Sequence, residues 1–186
     1  MRKLTVFNQV SLDGFIANAR GDMSCAHKVD PERNAFAAEN AGGEGVLVFG
    51  RVTYDLMVKY WPTPAALKNA PAVAAGMNRM QKVVFSRKMK EASWQNTTLV
   101  KRDIAAAVRH MKSERGPGMV ILGSGSIVSQ LTQAGLIDEY QMVVNPIVLG
   151  KGKTMFDGIK DKLTLRLTKT RAFGNGNVVL WYEPEV

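Results

Sequence analysis

Three short segments of this sequence gather small residues, hydroxyls and guanidinium groups directly after apolar runs. They are Gly50-Arg51-Val52-Thr53 after residues 46–49, Ser86-Arg87 after residues 82–85, and Gly123-Ser124-Gly125-Ser126-Ile127-Val128 after residues 119–122. The chemistry these types suit is phosphate binding. A glycine at a strand end lets a helix N-terminus approach an oxyanion, and the helix supplies free N–H groups and a partial positive charge. Arg51 adds a forked donor array that matches phosphate, and Thr53 can cap the helix or donate to a phosphate oxygen. Ser86 with Arg87 can grip a phosphate monoester. The Gly-Ser loop can close its N–H groups around a pyrophosphate. It resembles a dinucleotide fingerprint, except that Val128 stands where a third glycine would be. Each segment alone also reads as a plain strand-to-helix turn or a polar loop. Three in succession point to one extended, multiply phosphorylated ligand.

Other reactive side chains are few. Asp13 either contacts the reacting end of a ligand and relays a proton, or forms the turn before Gly14. His27 lies in a loop expected to border the pocket and titrates near neutrality; the alternative is a solvated loop histidine. His110, beside Arg109 on a helix, reads as surface. Cys25 is the one cysteine, so no intramolecular disulfide forms, which suits a reducing compartment. Two distant histidines and one cysteine give no metal-ligand spacing, so no metal is expected. Tyr54 and Trp61 either line the site or anchor the core.

The net charge of +9 and pI near 9.8 allow a polyanionic partner or a small phosphorylated ligand. Lysines and arginines are scattered, and the densest run, Arg87-Lys88-Met89-Lys90, is short. Nucleic acid is therefore not the expected partner. The opening segment lacks the apolar length and cleavage site of a secretory signal. No apolar run approaches the ~20 residues of a membrane span. A cytoplasmic protein is expected.

The elements that must position these residues alternate in type. Strands are expected at 4–10, 46–49, 82–85, 98–100, 119–122 and 139–144, and mostly read as continuous apolar runs buried on both faces. Helices are expected from Asp30-Pro31-Glu32 to about Asn40, from Gly50-Arg51 onward, from Asp103 with Ile104, Ala107, Val108 and Met111 on one face, and from the 123–126 turn to Ala134. Residues 61–64 read as a loop. Two final strands, 163–171 and 178–182, are joined through Gly174-Asn175-Gly176-Asn177, a hairpin signal. The expected fold is an α/β, three-layer α/β/α sandwich in one domain, residues 1–186. Its central sheet is mainly parallel and mixed, and a C-terminal antiparallel hairpin closes it. Ligands of such sheets bind outside the carboxyl ends of the strands.

In this order the segments resemble the dihydrofolate reductase superfamily. They are most similar to the reductase domain of the bacterial riboflavin-biosynthesis deaminase-reductase, the RibD C-terminal family. The carriers are Ser11-Leu12-Asp13-Gly14-Phe15-Ile16-Ala17, Gly50-Arg51-Val52-Thr53-Tyr54, Phe85-Ser86-Arg87, the 123–128 loop, Ala134-Gly135-Leu136-Ile137-Asp138-Glu139 and Pro146-Ile147-Val148-Leu149-Gly150-Lys151-Gly152. The resemblance implies an NADPH-dependent reductase of a heterocyclic substrate, similar to the 5-amino-6-(5-phosphoribosylamino)uracil reductases, with hydride passing to an electrophilic carbon in the heterocycle or in an opened sugar. The 50–53 turn and the 123–128 loop would hold the pyrophosphate, and Ser86 and Arg87 the 2′-phosphate. Ala17 would lie along the nicotinamide ribose, with the nicotinamide near Asn8 and the Asp13 loop. A homodimer is also implied. Three features depart from the riboflavin pattern: Leu122 stands where a substrate-contacting glutamate is usual, Tyr54-Asp55-Leu56-Met57 replaces an Asp-Asp-Pro segment, and Cys25 follows Gly21-Asp22-Met23-Ser24 where relatives place tryptophan. The alternatives are a dihydrofolate reductase-like pteridine reductase, with Asp30, Glu32 or Glu39 as the ring-binding acid, and a non-catalytic NADP- or nucleotide-binding protein.

Overall fold

Six short strands, rich in valine, leucine and isoleucine, lie side by side and parallel: β1 (Leu4–Ser11), β3 (Val46–Gly50), β4 (Gln81–Phe85), β5 (Thr97–Val100), β6 (Met119–Leu122) and β7 (Glu139–Asn145). Two antiparallel strands, β9 (Leu165–Ala172) and β10 (Val178–Pro184), extend the sheet beyond β7 in the order β5-β4-β3-β6-β1-β7-β10-β9. This computed structural model describes residues 1–22 and 30–185. Because the six strands are parallel, their carboxyl ends all open at one end of the sheet.

The helices cover both faces. On one face α5 (Ile104–Ser113) and α6 (Gly125–Gln133) bury Val108 and Leu131 against Val6, Val48 and Ile121, all five at 0% exposure. The opposite face carries α1 (Pro31–Gly42), α2 (Arg51–Tyr60) and α4 (Pro71–Arg79). Side chains alternate along each strand, so Leu47 and Phe49 point to the second face, where Tyr54, Met77 and Trp94 meet them. On the same face Phe36 of α1 packs on Phe7, Phe173 and Trp181.

Several helix ends form as the sequence chemistry dictates. The Asp30 carboxylate accepts from the Arg33 amide, with Pro31 in the first turn, and Asp103 accepts from Ala106. Gly135 follows α6 at φ +64°, the left-handed conformation that ends a helix. Tyr54 is a core anchor: it is buried, packs on Phe49 and Trp94, and its hydroxyl accepts from the Trp94 amide. That anchor fixes the N-terminal turn of α2 at the open end of the sheet.

The structure adds elements the sequence did not announce. The proline-rich stretch after Trp61 is a loop only to Thr63. Then α3 (Pro64–Asn69) begins, with the Thr63 hydroxyl accepting from the Ala66 amide, and α4 follows. A small antiparallel pair, β2 (Phe15–Asn18) with β8 (Gly152–Thr154), lies outside the main sheet. Gly152 is required there, since a Cβ would stand 2.2 Å from the Ala17 carbonyl oxygen. Among the described residues no helix is long and apolar enough to cross a membrane.

Candidate functional site

The carboxyl ends of β3 and β6 are stitched together by two hydroxyls. Ser124 Oγ accepts from the Gly50 amide at 2.7 Å and lies 3.0 Å from Thr53 Oγ1, which accepts from the Ser124 amide at 3.0 Å. Thr53 is therefore not the helix cap. Gly50 occupies that position without a side-chain cap bond, and Thr53 crosses to the next strand end. Gly123 and Ser124 are both left-handed, at φ +61° and +58°, and α6 starts at once. The Ser124 carbonyl accepts from Ile127 and Val128. The amides of Gly125 and Ser126 stand in the first turn, where a helix supplies no acceptor of its own.

Asn8 holds this loop from the other side. Its carboxamide, 3% exposed, accepts from the Gly123 amide at 2.6 Å and donates to the Gly123 carbonyl at 3.2 Å. Ile127 and Val128 pack the loop from beneath as buried core residues. Ala17, buried on β2, borders the same space.

A groove of about 1870 Å³ runs past these strand ends. Arg51, Ser86, Arg87, Lys88 and Arg102 line its β3–β4–β5 side. Arg51 is paired with Asp55 at 3.0 Å. Among the described residues Arg87, Lys88 and Arg102 have no ion-pair partner. The Ser86 hydroxyl accepts from the amides of Lys88 and Met89, shaping the turn, and keeps its own O–H to donate. The site can thus hold an anion at three points along one groove. Lys88 and Arg102 were not singled out from the sequence, although Lys88 sits in its densest basic run.

The other half of the groove lies over β1 between α1 and α2. Phe7, Gln9, Leu122 and Gln141 form its floor. Val52, Leu56 and Tyr60, spaced i, i+4, i+8 and partly exposed, form one wall. On α1 the groove is lined by Arg33, Asn34, Ala37 and Ala41. The three acids considered on this helix are elsewhere: Asp30 is the cap, Glu32 pairs with Arg171 at 2.8 Å, and Glu39 is exposed and outside the lining. Trp61 borders the groove while packing partly on the core. Gln9, Arg33 and Gln141 were missed from the sequence. Their signal was a polar residue at a core-facing position of a strand, and a basic residue one turn into a capped helix.

Asp13 sits outside this lining. Its carboxylate accepts from the Ser11 hydroxyl at 2.6 Å and from the amides of Leu149 and Gly150, at 3.1 and 2.7 Å. The Ser11 bond first, then those amides, hold its pKa below the ordinary aspartate value. A lowered folded-state pKa contributes stability that is full above the unfolded value and lost as pH falls through the folded one. Asp13→Asn should therefore melt below the wild type at pH 7, and the gap should narrow as pH falls from about 4, the ordinary aspartate value, through the lower folded-state one. A gap that does not narrow at all as the acid range is entered would show that charge is not what the 149–150 amides need. His27 and Cys25 lie outside the described residues. His110 is exposed on α5, 3.4 Å from Glu114. Among the described residues no cluster of His, Cys, Asp and Glu could hold a metal ion.

The RibD C-terminal domain pattern matches residues 2–179. YyaP of Bacillus subtilis strain 168 is 27% identical over 181 residues, covering 97% of this chain and 94% of YyaP. The crystal structure of a putative riboflavin biosynthesis protein from Shewanella sp. PV-4 superposes with a TM-score of 0.74 at 22% identity, covering 99% of each chain. Dihydrofolate reductase from Enterococcus faecalis, solved with NADP(H), superposes at 0.63 and 15% identity, over 99% of this chain and 97% of that one. A sheet of this order with a pattern match along almost the whole length leads to one assignment: the chain belongs to the RibD C-terminal domain family, on a dihydrofolate reductase-like fold.

Proposed function

We propose that the protein is an NADPH-dependent reductase acting on a heterocyclic substrate. The observation that carries this reading is the convergence of three anion-binding segments on one groove at one end of the sheet. The donor set fits a phosphorylated dinucleotide. Two helix N-termini and Arg51 suit the pyrophosphate, while Ser86 and Arg87, with Lys88 and Arg102 beside them, suit a 2′-phosphate dianion. Bound there, NADPH supplies a hydride.

The chain's own residues position and exclude. Asn8 fixes the Gly123 peptide in both directions, so the loop amides are set before the ligand arrives. Ala17, with its small side chain, leaves room over β1 for the reacting ring. The apolar wall of Val52, Leu56 and Tyr60 keeps water from that ring. Asp30, Glu32 and Glu39 of α1 lie outside the lining, so none of the three is the proton donor to the ring.

Melting curves with NADPH, NADP⁺ and NADH at matched concentrations test the reading. A ligand bound only by the folded state raises stability by ~2.7 kcal/mol at a hundredfold excess over its Kd. A clear rise with NADPH and NADP⁺ and a small one with NADH is expected. No rise with any of the three would overturn the assignment.

A further inference from the structure

Two hydrogen-bonding groups in the substrate half of the groove are left unmatched by the chain. On β1 the Gln9 side chain lines the groove, and its Oε1 is buried without a donor. On α1 the half-buried Arg33 lines the same groove, and among the described residues nothing accepts from its guanidinium. The carboxylate that acts on it through space, Asp30, is committed to the Arg33 backbone amide as the helix cap. Buried polar groups are almost always paired, and an unpaired one in a native protein calls for a ligand or a functional reason. A cation removed from water needs a partner more than any neutral group.

The topology sets these groups against each other. Helix α1 ends four residues before β3 begins at the amino edge of the sheet, so it runs antiparallel to β1. Phe36 touches Phe7, with ring centres 6.4 Å apart. Three residues back along the helix, about 4.5 Å, is Arg33. Two residues on along the strand, about 6.6 Å and on the same face, is Gln9. Both therefore lie on the carboxyl side of the Phe7–Phe36 contact, one above the other across the groove. Gln141, directly beside Phe7 on β7 and 8% exposed, adds another carboxamide to that floor.

We propose that Arg33 and Gln9 read the substrate as a ring N–H adjacent to a ring C=O, the edge of a lactam or cyclic imide. Gln9 Oε1 accepts the N–H, and Arg33 donates to the oxygen. This rests on the reductase reading and narrows its substrate to neutral or acidic oxo-heterocycles. The same guanidinium repels a protonated amidine-type ring, and it would stabilise negative charge on the carbonyl oxygen it faces. Arg33 and Gln9 are then specificity-determining residues of this half of the groove.

Lumazine (pteridine-2,4-dione) and 2,4-diaminopteridine are the probes, one an imide and the other a basic amidine. Each is titrated by fluorescence into the protein with and without NADP⁺. The wild type should bind lumazine at least tenfold more tightly than 2,4-diaminopteridine. Arg33→Met and Gln9→Leu should each weaken lumazine about tenfold or more, with the NADP⁺ melting shift unchanged, and Arg33→Lys should recover part of the loss. If Arg33→Met does not fold, Gln9→Leu carries the test. Undiminished lumazine binding in these variants, a preference for 2,4-diaminopteridine, or no lumazine binding by the wild type would overturn the proposal. A wild type that binds lumazine but shows no NADP⁺ shift would instead overturn the cofactor reading and leave the roles of Arg33 and Gln9 standing.

Discussion

Arg87→Ala should weaken NADPH binding by about ten- to a hundredfold and leave NADH binding within about a factor of two. The two cofactors differ in one group, the 2′-phosphate. A hydrogen bond to a charged partner contributes about 1.5–3 kcal/mol, and each 1.4 kcal/mol is a factor of ten. Arg87 is exposed, so the effect should shrink as salt rises. Lys88 and Arg102 border the same place and retain part of the attraction, which is why the loss stops short of abolition. Arg87→Lys keeps the charge but loses the planar fork, and should fall between wild type and alanine. Dissociation constants for both cofactors, at low and moderate salt, decide the matter. Equal losses for NADPH and NADH would place Arg87 against a group the two share, and the 2′-phosphate assignment would fail.

That prediction could be framed from the sequence because its residues are consecutive. Ser86 and Arg87 follow an apolar run directly, and a parallel strand must deliver its last residues to the open end of the sheet. The same locality made Gly50-Arg51 and the 123–128 loop legible. What binds these segments to one another was not legible. Thr53 and Ser124 are 71 residues apart, and nothing in either neighbourhood says that one hydroxyl will serve the other. Asp13 shows the same division. Its turn with Ser11 and Gly14 is written locally, whereas the Leu149 and Gly150 amides that engage its carboxylate arrive from 136 and 137 residues away.

The fold divides along similar lines. The parallel strands, the capped helices and the closing hairpin follow from periodicity and end signals. The strand order does not, since every buried run looks alike from the sequence. Helices α3 and α4 were hidden because residues 61–64, with Pro62 and Pro64, read as a loop and the short stretch after them carried no long apolar period. Pro64 and Pro71 in fact stand at first-turn positions, where a missing N–H costs nothing. Strands β2 and β8 are too short for a period to show, and each exists through the other. Arg33 escaped notice because the acids around the α1 cap drew attention to the helix end, while the groove-facing position lay one turn further in.

Gly123→Ala should destabilise the protein by about 3 kcal/mol and remove most of its cofactor affinity. Alanine at φ +61° carries a left-handed backbone penalty of roughly 1–2 kcal/mol. Its Cβ would also stand 2.8 Å from Thr53 Cγ2 and 2.9 Å from Thr53 Oγ1, and overpacking of this kind costs about 1–3 kcal/mol. Neither side can yield easily. Thr53 is held by its bonds to Ser124, and Asn8 clamps the Gly123 peptide from the opposite side. For a chain of this length the loss corresponds to a fall in Tm of roughly 6–12 °C. Thr53→Ala removes both crowding atoms, though alone it sacrifices the bonds to Ser124. The double variant should therefore be more stable than the sum of the single effects by about 1–2 kcal/mol. Cofactor affinity should recover with it only if the amides of Gly125 and Ser126 return to their places. Strict additivity would show that Thr53 does not confine Gly123, and that Asn8 alone sets the loop.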